Sequence, residues 1–380
     1  MTWYNSEDSI YLEPGTHMVE FKDVGQHLTP QTRPIVIAPN QMTVIEEPYL
    51  PQDYYDGSTY MSVAHDNSPY ITIYKRNGDT FTKLPNPTEL PTGIGNEVAF
   101  SSDDTYMSVV HRNSPYITIY KRNDDTFTKL PNPVGGLPAF TGNEVAFSSD
   151  DTYMSVAHTN SPYITIYKRN GDTFTKLPNP PNLPASHGQG VAFSSDDTYM
   201  SIAHNISPCI TIYKRNGDTF TKLPDPDILP TGVGLRVAFS SDDTYMSVAH
   251  TTSPYITIYK RNGDTFTKLP NPTNLPTDAG RGVAFSLDDT YMSVAHTTSP
   301  CITIYKRNGD TFTKLPNPTN LPTGIGLRVE FSSDDTYMSV AHTTSPYITI
   351  YKRNGDTFIK LPNPTNLPTR DGRGVGFSNK

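Results

Sequence analysis

One motif, Thr-Tyr-Met-Ser, recurs down this chain at a nearly fixed interval. Its tyrosines are Tyr60, Tyr106, Tyr153, Tyr199, Tyr245, Tyr291 and Tyr337, spaced by 46 residues with a single 47 between Tyr106 and Tyr153. A period of this length means stacked copies of one supersecondary unit, each too small to bury its apolar surface alone. The chain must therefore fold as an array of seven equal parts.

The unit at 237–282 shows how each part is built. Alternation of side chains and turn residues predicts four strands, a to d, over 237–240, 244–250, 255–261 and 264–269. A Ser-Asp-Asp turn links a to b. A Thr-Thr-Ser-Pro loop links b to c. Asn262-Gly263 is a hairpin signal, because both residue types tolerate φ > 0. A Pro-rich loop follows d, and its prolines cannot donate to a sheet ladder.

Both faces of this small sheet carry bulk. Tyr255, Thr257 and Tyr259 share one face of strand c, and Ile256 and Ile258 the other. Tyr245, Ser247 and Ala249 oppose Met246 and Val248 on strand b. A sheet with one wet face would alternate more strictly between apolar and polar. Two covered faces place each sheet between copies of itself, as in propeller blades. Lys268 and the strand d threonines form a polar outer edge that discourages pairing with other chains.

The two ends of the array are complementary. The first copy begins at Gly57 and lacks strand a, while the last piece, 374–378, is a strand a with nothing after it. The expected fold is all-β: a closed seven-bladed β-propeller over 57–380, its first blade completed by the C-terminal strand. An open solenoid would need atypical capping repeats, and there are none in the array.

The run Val-Ala-Phe-Ser-Ser-Asp-Asp-Thr-Tyr-Met-Ser-Val-Ala resembles the strand a–turn–strand b segment of WD40-type repeats, and Ile-Thr-Ile-Tyr stands where that family has Ile-Arg-Leu-Trp. The resemblance covers 57–380. It departs from the family in having Tyr-Lys for Trp-Asp and no Gly-His before strand a. The Ser-Pro-Tyr-Ile-Thr-Ile-Tyr-Lys-Arg and Gly-Asp-Thr-Phe-Thr-Lys-Leu-Pro-Asn-Pro segments are similar to tandem WD40-like proteins encoded among virion genes of tailed bacteriophages. That likeness implies a non-catalytic virion protein on tail, neck or capsid surface, presenting the propeller to a host-surface protein, a glycan or another virion protein. A multivalent carbohydrate-binding lectin and an intracellular protein-interaction scaffold are the alternatives.

Residues 1–56 do not match the repeat. They hold six prolines and β-like runs at 9–12, 18–23, 34–38 and 42–46. Such a piece is too small for a robust core of its own. It is expected to be an attachment or oligomerisation arm contacting other virion proteins within an oligomeric assembly. Residues 1–57 carry nine acids against Lys22 and Arg33, so most of the net charge of −8 sits there. Nothing forms the basic footprint of a nucleic-acid binder. No apolar run reaches the roughly 18 residues of a membrane span. The first residues show no basic-then-apolar leader, so the expected location is the virion, or the cytoplasm for a protein of another source.

Repeated polar residues invite chemical readings that geometry weakens. Seven histidines, His65, His111, His158, His204, His250, His296 and His342, end strand b. With strand b about 12 Å from the axis, neighbouring histidines lie about 10 Å apart, whereas His–metal bonds are about 2 Å. Local hydrogen bonding is the expected role, and no metal or cofactor is expected. The Asp pairs beginning at Asp103, Asp150, Asp196, Asp242, Asp288 and Asp334 are expected to cap their own turns. Cys209 and Cys301 are two blades apart, about 26 Å on the same geometry, beyond the roughly 7 Å Cα separation of a disulfide. Near-identical copies supply almost no unique residues near the axis, so catalysis is not expected.

The copies differ in two loops, b–c and d–a, which emerge on the same face of an up-and-down blade. Asn67, Arg112 and Asn113 vary in b–c; Phe140, His187 and Arg370 vary in d–a. Ahead of strand a stand Glu97 and Glu144 in blades 2 and 3, against Arg236, Arg281, Arg328 and Arg373 in blades 5, 6, 7 and 1. This charge gradient marks the expected partner-binding face.

Overall fold

A computed structural model describes residues 15–19, 27–28, 33–37, 50–51 and 59–379. The chain separates into two compact units, Met1–Asp56 and Gly57–Lys380. In the first, Gly15–Val19 pairs antiparallel with Arg33–Ile37, and His27–Leu28 with Leu50–Pro51. The runs expected at 9–12 and 42–46 lie outside the described residues, as does the start of the chain.

The second unit is a seven-bladed β-propeller of four-stranded antiparallel sheets. Among the described residues there is no helix, hence none long and apolar enough to cross a membrane. Blade 5 shows the pattern: strand a is Gly234–Phe239, b Tyr245–His250, c Ile256–Asn262 and d Thr265–Lys268. In the hairpin only the glycine is left-handed, Gly263 at φ +55, and Asp124 takes that place in blade 2 at φ +49.

Closure is direct. Gly372–Phe377 pairs with Tyr60–His65, and the Ser378 amide donates to the Tyr60 carbonyl at 2.9 Å. The seam between blades 7 and 1 is built like the others. Tyr337 Oη donates to Asp79 at 2.6 Å, just as Tyr60 Oη donates to Asp125 at 2.7 Å. An arginine lies over each tyrosine ring: Arg76 is 4.9 Å from the Tyr337 centroid and Arg122 is 5.1 Å from that of Tyr60.

The double-faced pattern of strands b and c explains the core. Tyr60, Ala64, Ile71 and Ile73 of blade 1 pack on Met107, Val109, Tyr120 and Phe127 of blade 2. Phe127 meets Tyr60 edge-on with centroids 5.9 Å apart. Each interface therefore joins one blade's Tyr/Ile face to the next blade's Met/Val face.

The repeated histidines and aspartates take part in this scaffold. Every strand b histidine is fully buried, its Nε2 within 2.9–3.0 Å of a strand c threonine hydroxyl. Burial lowers His65, His111, His158, His250 and His342 to about 4. The first Asp of each pair caps its own turn, as Asp103 accepts from the Thr105 amide at 2.8 Å. The second does not: Asp151 reaches into blade 2 and accepts from the Ser102 and Asp103 amides at 2.7 and 2.8 Å. The expectation that both cap their own turn is corrected, because the second Asp adopts positive φ, +54 at Asp151, and points away from its own loop. Cys209 and Cys301 are buried and free.

Candidate active site in the axial channel

Strand a begins earlier than the alternation suggests. It starts at Gly234 in blade 5, because the chain re-enters the ladder through a register shift between Gly234 and Arg236. The same shift occurs in every blade. Residues assigned to the end of an exposed loop thus become strand residues. Leading glycines allow it: a Cβ on Gly234 would run into the Cys209 carbonyl oxygen.

This relocation decides the fate of the charge gradient. Glu97, Glu144, Arg236 and Arg328 are third residues of their strands, sharing the ring around the axis with Gly190, Gly282 and Gly374. They form a layer across the channel rather than a patch on the outer face. Arg328 Nε donates to Glu97 Oε2, while Arg236 lies 3.7 Å from Glu97 and 3.3 Å from Glu144. Val191 N donates to Glu144 at 2.9 Å. The glycines leave room for the side chains: a Cβ on Gly374 would lie 2.6 Å from the Glu97 Cα, and one on Gly190 2.8 Å from Glu144 Oε2. Burial raises both glutamates above the ordinary carboxylate range. Arg328 opposes the shift at each, and Glu97 adds to it at Glu144.

Two residues further along strand a, five blades carry alanine (Ala99, Ala146, Ala192, Ala238 and Ala284), and blade 1 has Gly376. Blade 7 has Glu330. Its carboxyl lines a cavity of about 330 Å³ that also receives Glu97, Glu144, Arg236 and Arg328. The cavity runs down past the strand a phenylalanines to Asn379, beside the a–b turns. Glu330 has no hydrogen-bond or ion-pair partner among the described residues. Burial, then the charges of Glu97 and Glu144, push it up to about 8. It is visible in the sequence as a single charged departure from an alanine column, but it lies inside a strand and not in the loops where the other differences gather.

On the other side of the charged layer the channel widens into a vestibule of about 440 Å³ at the face bearing the b–c and d–a loops. Arg112, Arg281 and Arg373 line it, with Arg236 and Arg328 as floor and Asn96, Asn143 and Gln189 among its walls. Arg281 and Arg373 are second residues of their strands, at the register shift and one position nearer the loop face than Arg236 and Arg328. Arg373 donates to Asp66.

The remaining sequence-selected residues stand on the loops. Asn113 Nδ2 donates to the Thr92 carbonyl at 3.1 Å, and the Asn67 carbonyl accepts from Thr369 Oγ1 at 3.3 Å. Phe140 and His187 tilt against Tyr116 and Tyr163, with centroids 5.5 and 6.0 Å apart. Arg370 is exposed beside Asp371. None of these five lines the channel. Among the described residues no group of three or more His, Cys, Asp or Glu is arranged to hold a metal ion.

Fold and channel together define a seven-bladed propeller with a charged axial site. Solved structures share this fold. A Lactobacillus plantarum protein matches with a TM-score of 0.68 at 15% identity, covering 84% of this chain and 99% of its own. A Bacteroides uniformis protein provisionally named a 6-phosphogluconolactonase gives 0.68 at 16%, covering 85% of this chain and 100% of its own. The Pseudomonas aeruginosa periplasmic gluconolactonase gives 0.60 at 12%, covering 84% and 99%. At these identities the likeness is one of fold. No protein-family model matches the sequence. No curated protein matches it.

These findings correct the expectation of a non-catalytic phage virion protein, with its lectin and scaffold alternatives. Neighbours of the propeller carry lactonase names. Nothing in the comparisons leads to WD40 proteins or phage virion genes. The physical reason lies at the axis. Near-identical copies are expected to supply almost no unique residues there, yet the third and fifth residues of strand a differ between blades and converge on one channel.

Proposed function

We propose that the axial cavity hydrolyses a small cyclic ester of a sugar acid. Glu330 carries the proposal: a partnerless carboxyl in the axial channel, placed where sister blades have alanine, and raised to about 8. The lactonase names of the fold neighbours support the choice of substrate class. In this reaction the Glu330 carboxylate accepts a proton from water, and the water oxygen attacks the lactone carbonyl. The oxyanion that develops is stabilised by Arg236 or Arg328, whose guanidiniums line the same cavity. The ring C–O bond then breaks, the proton on Glu330 passes to the departing ring oxygen, and the open hydroxy acid leaves.

Glu330→Ala is the decisive test, because alanine already occupies this position in five sister blades and the fold accepts it. Hydrolysis of glucono-δ-lactone and its 6-phosphate, corrected for the spontaneous rate, should fall by roughly 10²- to 10⁴-fold in the variant. In the unsubstituted protein the rate should climb with pH through about 8 as the base form accumulates. Relative to the unsubstituted protein, the variant should gain stability progressively from pH 4.5 to about 8 and keep that gain at higher pH, since a carboxyl with a raised pKa costs stability across that window. Equal rates in the two proteins would sink the proposal.

A further inference from the structure

The vestibule has a charge balance of its own. Five arginines line it and no carboxylate does. Arg236 and Arg328 are matched by Glu97 and Glu144 in the layer beneath, and Arg373 by Asp66. The Arg281 carbonyl accepts from Arg328 Nη1 at 3.2 Å, while its guanidinium has no hydrogen-bond or ion-pair partner among the described residues. The Arg112 side chain makes only a long bond, Nε to Asn96 Oδ1 at 3.4 Å, and no ion pair among the described residues. Partial burial and then the like charge of Arg373 disfavour its protonated form, and the charge of Asp66 opposes them only in part.

Arg112, Arg373, Arg328 and Arg281 come from blades 2, 1, 7 and 6, four neighbours in the ring, and so form a continuous arc. Guanidiniums held together without counter-charge repel one another, and the repulsion is relieved by an anion between them. Planar forks suit oxyanions, which they bind through paired charge-assisted hydrogen bonds. Two unmatched positive charges in a chamber of about 440 Å³ call for a doubly charged oxyanion on a small molecule.

We propose that the vestibule binds a dianionic oxyanion, a phosphate group free or carried on a small sugar. It is a second site, separated from the Glu330 cavity by the Arg328–Glu97–Arg236–Glu144 layer, and it stands independently of the hydrolysis proposal because it is read by binding alone.

The sister blades supply safe substitutions. Arg112→Thr installs the residue found at Thr159, Thr251, Thr297 and Thr343, and Arg281→Leu that found at Leu235 and Leu327. Arg370→Gly, matching Gly93, Gly232 and Gly324, removes a cation of the same face that does not line the vestibule. Titration calorimetry with the full chain at low ionic strength would use inorganic phosphate, glucose 6-phosphate and glucose. Phosphate and glucose 6-phosphate should bind and glucose should not. Each vestibule substitution should weaken phosphate binding roughly 10-fold or more, high salt should weaken it too, and Arg370→Gly should leave it unchanged. Tighter binding of glucose 6-phosphate than of phosphate identifies a sugar-borne group; equal binding identifies the free ion. The proposal is overturned by no binding of either phosphate, or by binding that survives both Arg112→Thr and Arg281→Leu.

Discussion

Strands b and c differ little from blade to blade, whereas strand a differs at its second, third and fifth residues. In the outer strands, Tyr, Met, Ser, His, Thr and Ile recur because each interface between blades must solve the same packing problem. Strand a meets a different condition. Seven copies of it surround one small space, and seven identical charged residues there would be unbearable. Two glutamates, two arginines and three glycines share the third layer instead. Repetition in this protein builds walls, and departure from repetition furnishes the channel.

The histidine belt offers the largest test of that contrast. A folded-state value of about 4 lies below the 6.5 of an unfolded histidine, for His65, His111, His158, His250 and His342. The stability they contribute is fully present above 6.5 and is lost as pH falls from 6.5 toward 4. Each should cost up to about 1.4 kcal/mol per pH unit in that window. Thermal melts between pH 7 and 4 should show a steep, cooperative decline. A flat profile would mean that the belt is not part of the scaffold.

A core substitution tests one wall at a time. Met246 is fully buried between blades, so Met246→Ala should cost about 2–5 kcal/mol in denaturant unfolding. A much smaller loss would show that blade interfaces yield more readily than the packing implies.

The smallest effect is expected in the channel. Gly374→Ala sets a methyl group against the Glu97 backbone, 2.6 Å from its Cα, and should cost about 1–3 kcal/mol. The Arg328–Glu97 contact should loosen with it, a change visible in a crystal structure of the variant. Unaltered stability and an intact contact would make the glycines incidental to the charged layer.

Period, strand count and closure were legible in the sequence because they depend on local chemistry. Tyr and Ile alternation declared two covered faces, and the Gly57 and 374–378 ends declared a shared blade. The channel was legible only as a list of charges. Glu97 and Arg236 read as loop residues, because the Gly-rich approach to strand a hides a register shift that only ladder pairing reveals. Arg236 and Arg281 read as one gradient, although a single step along the strand puts Arg236 in the charged layer and leaves Arg281 in the vestibule alone. Glu330 stood plainly among alanines but acquired meaning only next to charges from other blades.

What the sequence determined by itself was the repeat and the closed ring, since seven equal units with complementary ends leave one way to bury both faces of every sheet. Tertiary structure alone decided which charges meet. Residues about 46 apart, or more than 200 apart for Glu97 and Arg328, become neighbours only at the axis. Their pairing depends on through-space distance, which no local pattern encodes.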